Sequence, residues 1–104
     1  MAGRDVRLTL AGQEYVLRPT FQAIMEVEER LGGLLALTTK AADGEIGLRE
    51  VAVILWATMQ DRPDFEQVGK MIMEEGLVKS ISAVRDILAI CLTGGGEPVL
   101  PGKS

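Results

Sequence analysis

The sequence of 104 residues contains no histidine. It therefore lacks the side chain that most often serves as a general base near neutral pH and most often binds transition metals. The carboxylates are numerous, but none has His or Cys neighbours at metal-ligand spacing, and no Asp-rich loop resembles a calcium site. The glycines at 94–96 have no Lys-Ser/Thr after them, as a phosphate-binding loop requires. These absences argue against an enzyme and predict no metal and no cofactor.

Cysteine is almost absent, because Cys91 is the only one and no intrachain disulfide can form. Cys91 falls on the apolar stripe of a predicted helix, where a buried thiol behaves as a small hydrophobic group with a raised pKa. The chain does not open with the charged segment and apolar run of a signal peptide. We therefore expect a reduced, cytoplasmic protein.

Positive charge is also scarce, since 11 basic residues face 15 acidic ones and the net charge is −4. An acidic chain lacks the basic surface that supplies most non-specific affinity for nucleic acids. The last predicted helix carries only Lys79 and Arg85 against Asp86. A small helical DNA-binding regulator is thus a weak alternative, and no nucleic-acid partner is predicted.

Aliphatic side chains are abundant, with 47% hydrophobic residues of which only four are aromatic. The mean hydropathy of +0.20 is high for a domain with so much surface per unit volume. Some aliphatic side chains are therefore expected to stay exposed and form a surface for a partner. A slightly enlarged apolar core explains the same number equally well.

No apolar run is long enough to cross a bilayer, which requires about 20 residues. The longest, Leu48 to Met59, is interrupted only by Arg49, Glu50 and Thr58. A soluble helix that is apolar nearly all round is buried. We predict that this stretch is the central helix and that no membrane is involved.

The remaining periodicity predicts an α+β, predominantly helical fold with an N-terminal β-hairpin packed on four or five short helices around the central apolar helix. The hairpin spans 6–18, and the helices span about 21–31, 34–42, 47–60, 64–75 and 77–93. Residues 1–93 are predicted to form a single domain. The segment 94–104, rich in glycine and proline, is predicted to be a flexible tail.

Local signals mark several helix ends. Thr20 suits an N-cap, Gly32 suits the left-handed position after a helix, and Asp64 with Gln67 has the spacing of a capping box. On helix 21–31 the predicted inner stripe consists of Phe21, Ile24, Met25 and Leu31, with Ala23 and Val27 widening one side.

Helix 64–75 has an apolar arc of about 200°, wider than the roughly 100° that a surface helix needs to dock on a core. Its predicted inner stripe is Phe65, Val68, Gly69 and Ile72. Four apolar residues lie at or beyond the edges of such stripes and are predicted to contact a partner: Met71, Met73, Val78 and Ile90. Methionine suits this role because its side chain adapts to different partners. The alternative for each methionine is gap-filling in the core.

Three stretches together resemble a known family: VRLTLAGQEYVLRPTFQAIMEVEERLG at 6–32, DGEIGLREVAVILWATM at 43–59 and RPDFEQVGKMIMEEGL at 62–77. They are similar to the small tail proteins of alphaproteobacterial gene transfer agents and related siphophage-like elements. The resemblance covers roughly residues 6–92. Members of that family are described either as tail tube proteins or as tail assembly chaperones.

The resemblance implies a non-enzymatic role in tail morphogenesis. As a tail assembly chaperone, the chain would bind the long, helical tape measure protein before the tube polymerises. Other tail proteins and a second copy of the chain are further predicted partners. As a structural tail (tube) subunit, it would instead pair long strands between subunits. The sequence contains only two short strands, which favours the chaperone.

Overall fold

The computed structural model describes residues 5–93, and the predicted tail 94–104 lies outside these residues. The chain forms a two-stranded hairpin followed by five helices: β1 (Val6–Leu10), β2 (Gln13–Leu17), α1 (Phe21–Leu31), α2 (Leu34–Ala42), α3 (Leu48–Thr58), α4 (Phe65–Glu75) and α5 (Leu77–Thr93). This architecture confirms the predicted fold class, an α+β and predominantly helical fold.

The two strands pair antiparallel through a two-residue turn, with Val6 opposite Leu17 and Leu10 opposite Gln13. Ala11 and Gly12 both have positive φ, at 51° and 80°. Turns of this kind match the right-handed twist of the strands. The turn is held against α4, because the Ala11 amide donates a hydrogen bond of 2.8 Å to Glu75 Oε1.

Helix α3 is the central element, as predicted, and seven of its eleven residues are buried. It packs against α1, α4 and α5. The helix is shorter than the predicted 47–60 at both ends. Gly47 is its N-cap, with an amide that donates to Glu50 Oε1 at 2.8 Å. Met59 is extended and pairs with Leu17, which joins the end of α3 to the hairpin.

The predicted inner stripe of α1 is wrong in part. Phe21 is 82% exposed and Met25 is 53% exposed, whereas Ala23 and Val27 are buried. The apolar arc of this helix is wider than the face that one neighbour can cover. Packing against α3 uses the smaller residues at one side of the arc, and the larger residues at the other side face outward.

The predicted ends of α1 are confirmed. Thr20 caps the N-terminus by accepting a hydrogen bond of 3.1 Å from the Ala23 amide. Gly32 adopts a φ of 103° just past the C-terminus.

The predicted capping box of α4 is wrong. Asp64 occupies the N-cap position, but its side chain accepts no capping hydrogen bond. Residues 64–67 are all exposed, so water can satisfy the first amides of the helix. The predicted stripe of α4 is also only partly correct, because Val68, Met71 and Ile72 are buried while Phe65 is exposed.

Three glutamates connect elements through charged hydrogen bonds, and each has a pKa below its usual value of 4.5. The pKa of Glu50 is lowered mainly by the Lys40 ammonium, 3.0 Å away, and by the Gly47 amide. Hydrogen bonds from Arg62 lower the pKa of Glu26, and a bond from Lys79 lowers that of Glu75.

These lowered pKa values predict a loss of stability in acid. Unfolding returns the three carboxyl groups to their usual pKa. In acid the unfolded chain therefore binds more protons than the folded chain does. The stabilisation is complete above about pH 5, and it is lost as the pH falls through the lowered folded-state values. Thermal unfolding followed by circular dichroism should give a constant midpoint from neutral pH to about pH 5 and a falling one below it. In the Glu50→Gln variant the unfolding midpoint should fall less steeply below pH 5. An equally steep fall would show that Glu50 does not contribute to the loss of stability in acid.

Candidate functional site

The fold leaves several large apolar side chains of the described residues on the surface. Eight of them are exposed: Phe21, Met25, Leu35, Leu48, Phe65, Met73, Val78 and Leu92. Single exposed apolar residues are common in soluble proteins, but contiguous ones mark sites of interaction. The question is therefore which of these residues lie together.

Three of them border one open groove of about 900 Å³ between α3 and α4. Its apolar lining consists of Leu48 and Ala52 from α3 and of Phe65, Gly69, Met71 and Met73 from α4. We call it the α3–α4 groove. It is larger and more apolar than the depression beside Phe21 and Met25 on α1.

The geometry of α4 explains why this row of residues is left uncovered. Phe65, Gly69 and Met73 are spaced four apart and so lie along one side of the helix. The core-facing residues Val68, Met71 and Ile72 lie on the adjacent side. Gly69 leaves a gap in the middle of the row, because a Cβ atom built on it meets no atom within 4 Å.

Phe65 is held in place by contacts at the start of α4. Its ring meets the ring of Trp56 edge to face, with centroids 5.8 Å apart. Trp56 is itself fixed, because its Nε1 donates to the Pro63 carbonyl at 2.8 Å and the Arg62 guanidinium lies 4.4 Å from its ring centroid. The Phe65 end of the groove is therefore fixed by several contacts, whereas the opposite end is formed by the exposed side chain of Met73.

Charges of both signs border the apolar lining: Arg49, Glu66, Lys70 and Glu74. None of these four forms an ion pair within residues 5–93. An apolar centre with a polar, charged rim is the usual anatomy of a protein-protein interface.

The four residues predicted to contact a partner have different positions. Met73 lines the groove and is 68% exposed. Val78 is 82% exposed but lies outside the groove, and Ile90 is half-buried against the core. Met71 is buried, and its sulfur accepts a hydrogen bond of 3.3 Å from the Tyr15 hydroxyl. Met71 therefore packs in the core beneath the hairpin, but it also borders the groove, and its contact with a partner stays a prediction.

Sequence reasoning misses four apolar lining residues. It assigns Phe65 and Gly69 to the core, and it treats Leu48 and Ala52 only as part of the central helix. The width of the apolar arc on α4 was the signal that one side stays open. Which side of α4 stays open depends on where the hairpin packs.

The remaining chemistry of the described residues is sparse. No three His, Cys, Asp or Glu side chains in 5–93 come close enough to hold a metal ion. Cys91 is half-buried, and burial raises the pKa of its thiol as predicted. None of the helices described is both long and apolar enough to span a bilayer.

The basic residues of α5 are already engaged within the fold. Lys79 Nζ lies 3.0 Å from Glu75 Oε2. Arg85 donates to the Ala41 carbonyl at the end of α2, at 3.0 Å from Nη2. Neither is positioned as the base-reading group of a recognition helix, so the DNA-binding alternative gains no support.

An acidic, mostly helical chain with an open apolar groove has the features of a protein that binds other proteins. A family model described as "phage tail tube protein, GTA-gp10" matches residues 4–99. The chain belongs to this family, and it is a phage tail protein. No curated protein and no solved structure matched the chain.

Proposed function

We propose that this chain is a non-enzymatic tail assembly chaperone that binds the tape measure protein in the cytoplasm of the host cell during tail morphogenesis. The observation that supports this proposal best is the α3–α4 groove, whose apolar lining is open to solvent. A chaperone of this kind covers the apolar surface of its client and needs no catalytic group.

The groove is suited to an amphipathic helix. Helices bind such grooves through apolar residues spaced three and four apart. Two neighbouring helices form its walls, and the gap at Gly69 allows a client helix to approach the α4 backbone closely. Arg49, Glu66, Lys70 and Glu74 on the rim form no ion pair within residues 5–93, and they supply partners for both signs of charge on the client. A long helical tape measure protein offers many segments of this type.

The second candidate is a structural tube subunit, and the description of the family favours it. A tube lined by β-structure needs strands that extend across subunits. The described residues contain two strands of five residues each, paired with one another in a hairpin. A strand of five residues spans only about 17 Å, which is short for a wall shared between subunits.

A matched pair of variants tests the proposal. Met73→Glu places a carboxylate in the groove, whereas Leu35→Glu makes the same kind of change at a residue that is 72% exposed and outside the groove. Each variant is co-expressed with the tape measure protein of the same tail gene cluster, and the soluble client is captured through a tag on this chain. Met73→Glu should reduce the captured client about tenfold or more, because burying an unpaired carboxylate costs more than about 1.4 kcal/mol. Leu35→Glu should leave it unchanged.

Equal capture by both variants would contradict a role for the groove. Failure of the unaltered chain to solubilise any tape measure protein would contradict the chaperone itself. Quantification of this chain in finished particles separates the two candidates, since a chaperone is absent from them and a tube subunit is present in many copies.

A further inference from the structure

The rim of the α3–α4 groove carries its charges in a regular order. Glu66, Lys70 and Glu74 are spaced four residues apart on α4, and all three are exposed. Residues at this spacing form one row along a helix, so the rim presents negative, positive and negative charge in turn. We call these three residues the α4 charge row. The helical period places it beside the apolar lining of α4, on the side that faces away from the core.

The charges of this row do not pair with one another, although their spacing allows it. Two other pairs of opposite charge at the same spacing do close, with N···O distances of 3.3 Å for Glu26–Arg30 and 3.0 Å for Glu75–Lys79. Within the described residues no ion pair involves the α4 charge row. Its three charges therefore remain available to a partner.

The opposite wall of the groove carries a different charge. Helix α3 contributes Leu48, Arg49 and Ala52 to the lining. Arg49 is exposed and forms no ion pair within residues 5–93. The groove is therefore positive along α3, whereas along α4 its charges alternate with an excess of negative charge. A helix that lies in the groove meets different charges on its two flanks.

The gap at Gly69 sets the spacing of the apolar contacts. Phe65 and Met73 are eight residues apart. This separation corresponds to about 12 Å along the helix axis. Gly69 lies midway between them, and a Cβ atom built on it meets no atom within 4 Å. One large aliphatic side chain of a docked helix therefore fits between Phe65 and Met73, in the way that a knob enters a hole when helices pack.

We infer that the groove selects its client helices by charge pattern as well as by apolar surface. The preferred client is an amphipathic helix with a large aliphatic residue at the gap. The flank that faces α4 carries a basic, an acidic and a basic residue, each four residues after the last, and the other flank carries an acidic residue opposite Arg49. The inference rests on the proposed function, because it takes the groove as the client site.

This pattern is complementary to every charge on the rim, and a helix of the reverse pattern meets like charge at each position. Complementary charges across an interface give specificity by excluding the wrong partners. Because the α4 charge row is symmetric about Lys70, the pattern is the same for parallel and antiparallel docking.

Two fluorescently labelled peptides serve as probes. Both are amphipathic helices with the same apolar face and a central leucine. The first carries Lys, Glu and Lys four residues apart on one flank, and the second carries Glu, Lys and Glu at the same positions. Fluorescence anisotropy at low ionic strength should show that the unaltered chain binds the first peptide about tenfold more tightly, since three attractive contacts replace three repulsive ones. The preference should shrink as salt is added, because salt screens exposed charges.

Inverting the α4 charge row should reverse this preference. The inverted variant carries Glu66→Lys, Lys70→Glu and Glu74→Lys, and it should bind the second peptide more tightly by a similar factor. The matched control is Glu29→Lys, which changes the net charge by the same amount at an exposed residue of α1 outside the groove. This control should keep the preference of the unaltered chain.

Circular dichroism checks that each variant is folded. If the triple variant is not, Lys70→Glu alone takes its place. This single change leaves two of the three complementary contacts with the first peptide, so it should reduce the preference for that peptide without reversing it.

Equal affinity of the unaltered chain for the two peptides would overturn the inference, and so would an inverted row that keeps the original preference. Loss of the preference in Glu29→Lys would also overturn it, because net charge alone would then govern binding. Peptide binding that weakens as the concentration of the chain rises would show that a second copy of the chain occupies the groove, and this outcome likewise contradicts the inference.

The peptides contain no tape measure sequence, so they test the charge pattern separately from the proposed function. A chain that captures the tape measure protein but does not distinguish the two peptides contradicts this inference alone. A chain that distinguishes the peptides but captures no tape measure protein contradicts the proposed function alone.

Discussion

Replacing Leu55 with alanine is expected to lower the free energy of unfolding by about 3–5 kcal/mol. Leu55 has no exposed surface and lies in the core near the middle of α3. The substitution removes buried methyl groups and leaves a cavity that helices packed around α3 cannot fill without moving. Urea unfolding followed by circular dichroism measures this change.

The same substitution at Leu35 is the control, since that side chain is 72% exposed on α2. Leu35→Ala should change the free energy of unfolding by less than about 0.5 kcal/mol. Domains of this size are typically stable by about 5–15 kcal/mol, so Leu55→Ala removes a large fraction of the total. Similar losses at both positions would show that α3 is not the centre of the core.

Gly69→Ala is expected to stabilise the fold, in contrast to Leu55→Ala, and to raise the free energy of unfolding by about 0.5–1 kcal/mol. Glycine in a helix interior is unfavourable, and here a Cβ would meet no atom within 4 Å. Thermal unfolding should show a midpoint a few degrees higher. The same methyl group partly fills the gap in the groove, so capture of the tape measure protein should weaken in the more stable variant.

Gly32→Ala is the matched control. Gly32 has a φ of 103°, a backbone conformation that alanine adopts only with strain. This variant should therefore be less stable by about 1 kcal/mol or more. A Gly69→Ala variant that is stabilised yet binds its client with unchanged affinity would show that the gap is not used in docking.

Much of the fold follows from local signals in the chain. The alternation in Val6–Leu10 and the glycine-containing turn predicted at 11–13 indicate the hairpin, and Thr20 and Gly32 predict the ends of α1. The nearly uninterrupted apolar run predicts that α3 is buried. These predictions succeed because each depends on neighbours within a few residues, such as a side chain that caps its own helix.

The candidate site could be predicted only in part. Periodicity shows that α1 and α4 have wide apolar arcs, but it does not show which edge of each arc packs inward. The hairpin covers Met71 and leaves Met73 open, although both methionines lie at the edges of the same arc. Phe21 and Met25 likewise face outward because α3 packs against the smaller Ala23 and Val27.

The sequence by itself determined the order and type of the elements, the absence of histidine chemistry and the surplus of apolar side chains. The tertiary structure alone decided where that surplus lies, namely in a groove between α3 and α4 and on the outward side of α1. The physical reason is that the hydrophobic effect has no direction. It drives apolar arcs out of water, but only the shapes of the neighbouring elements decide which part of each arc is covered.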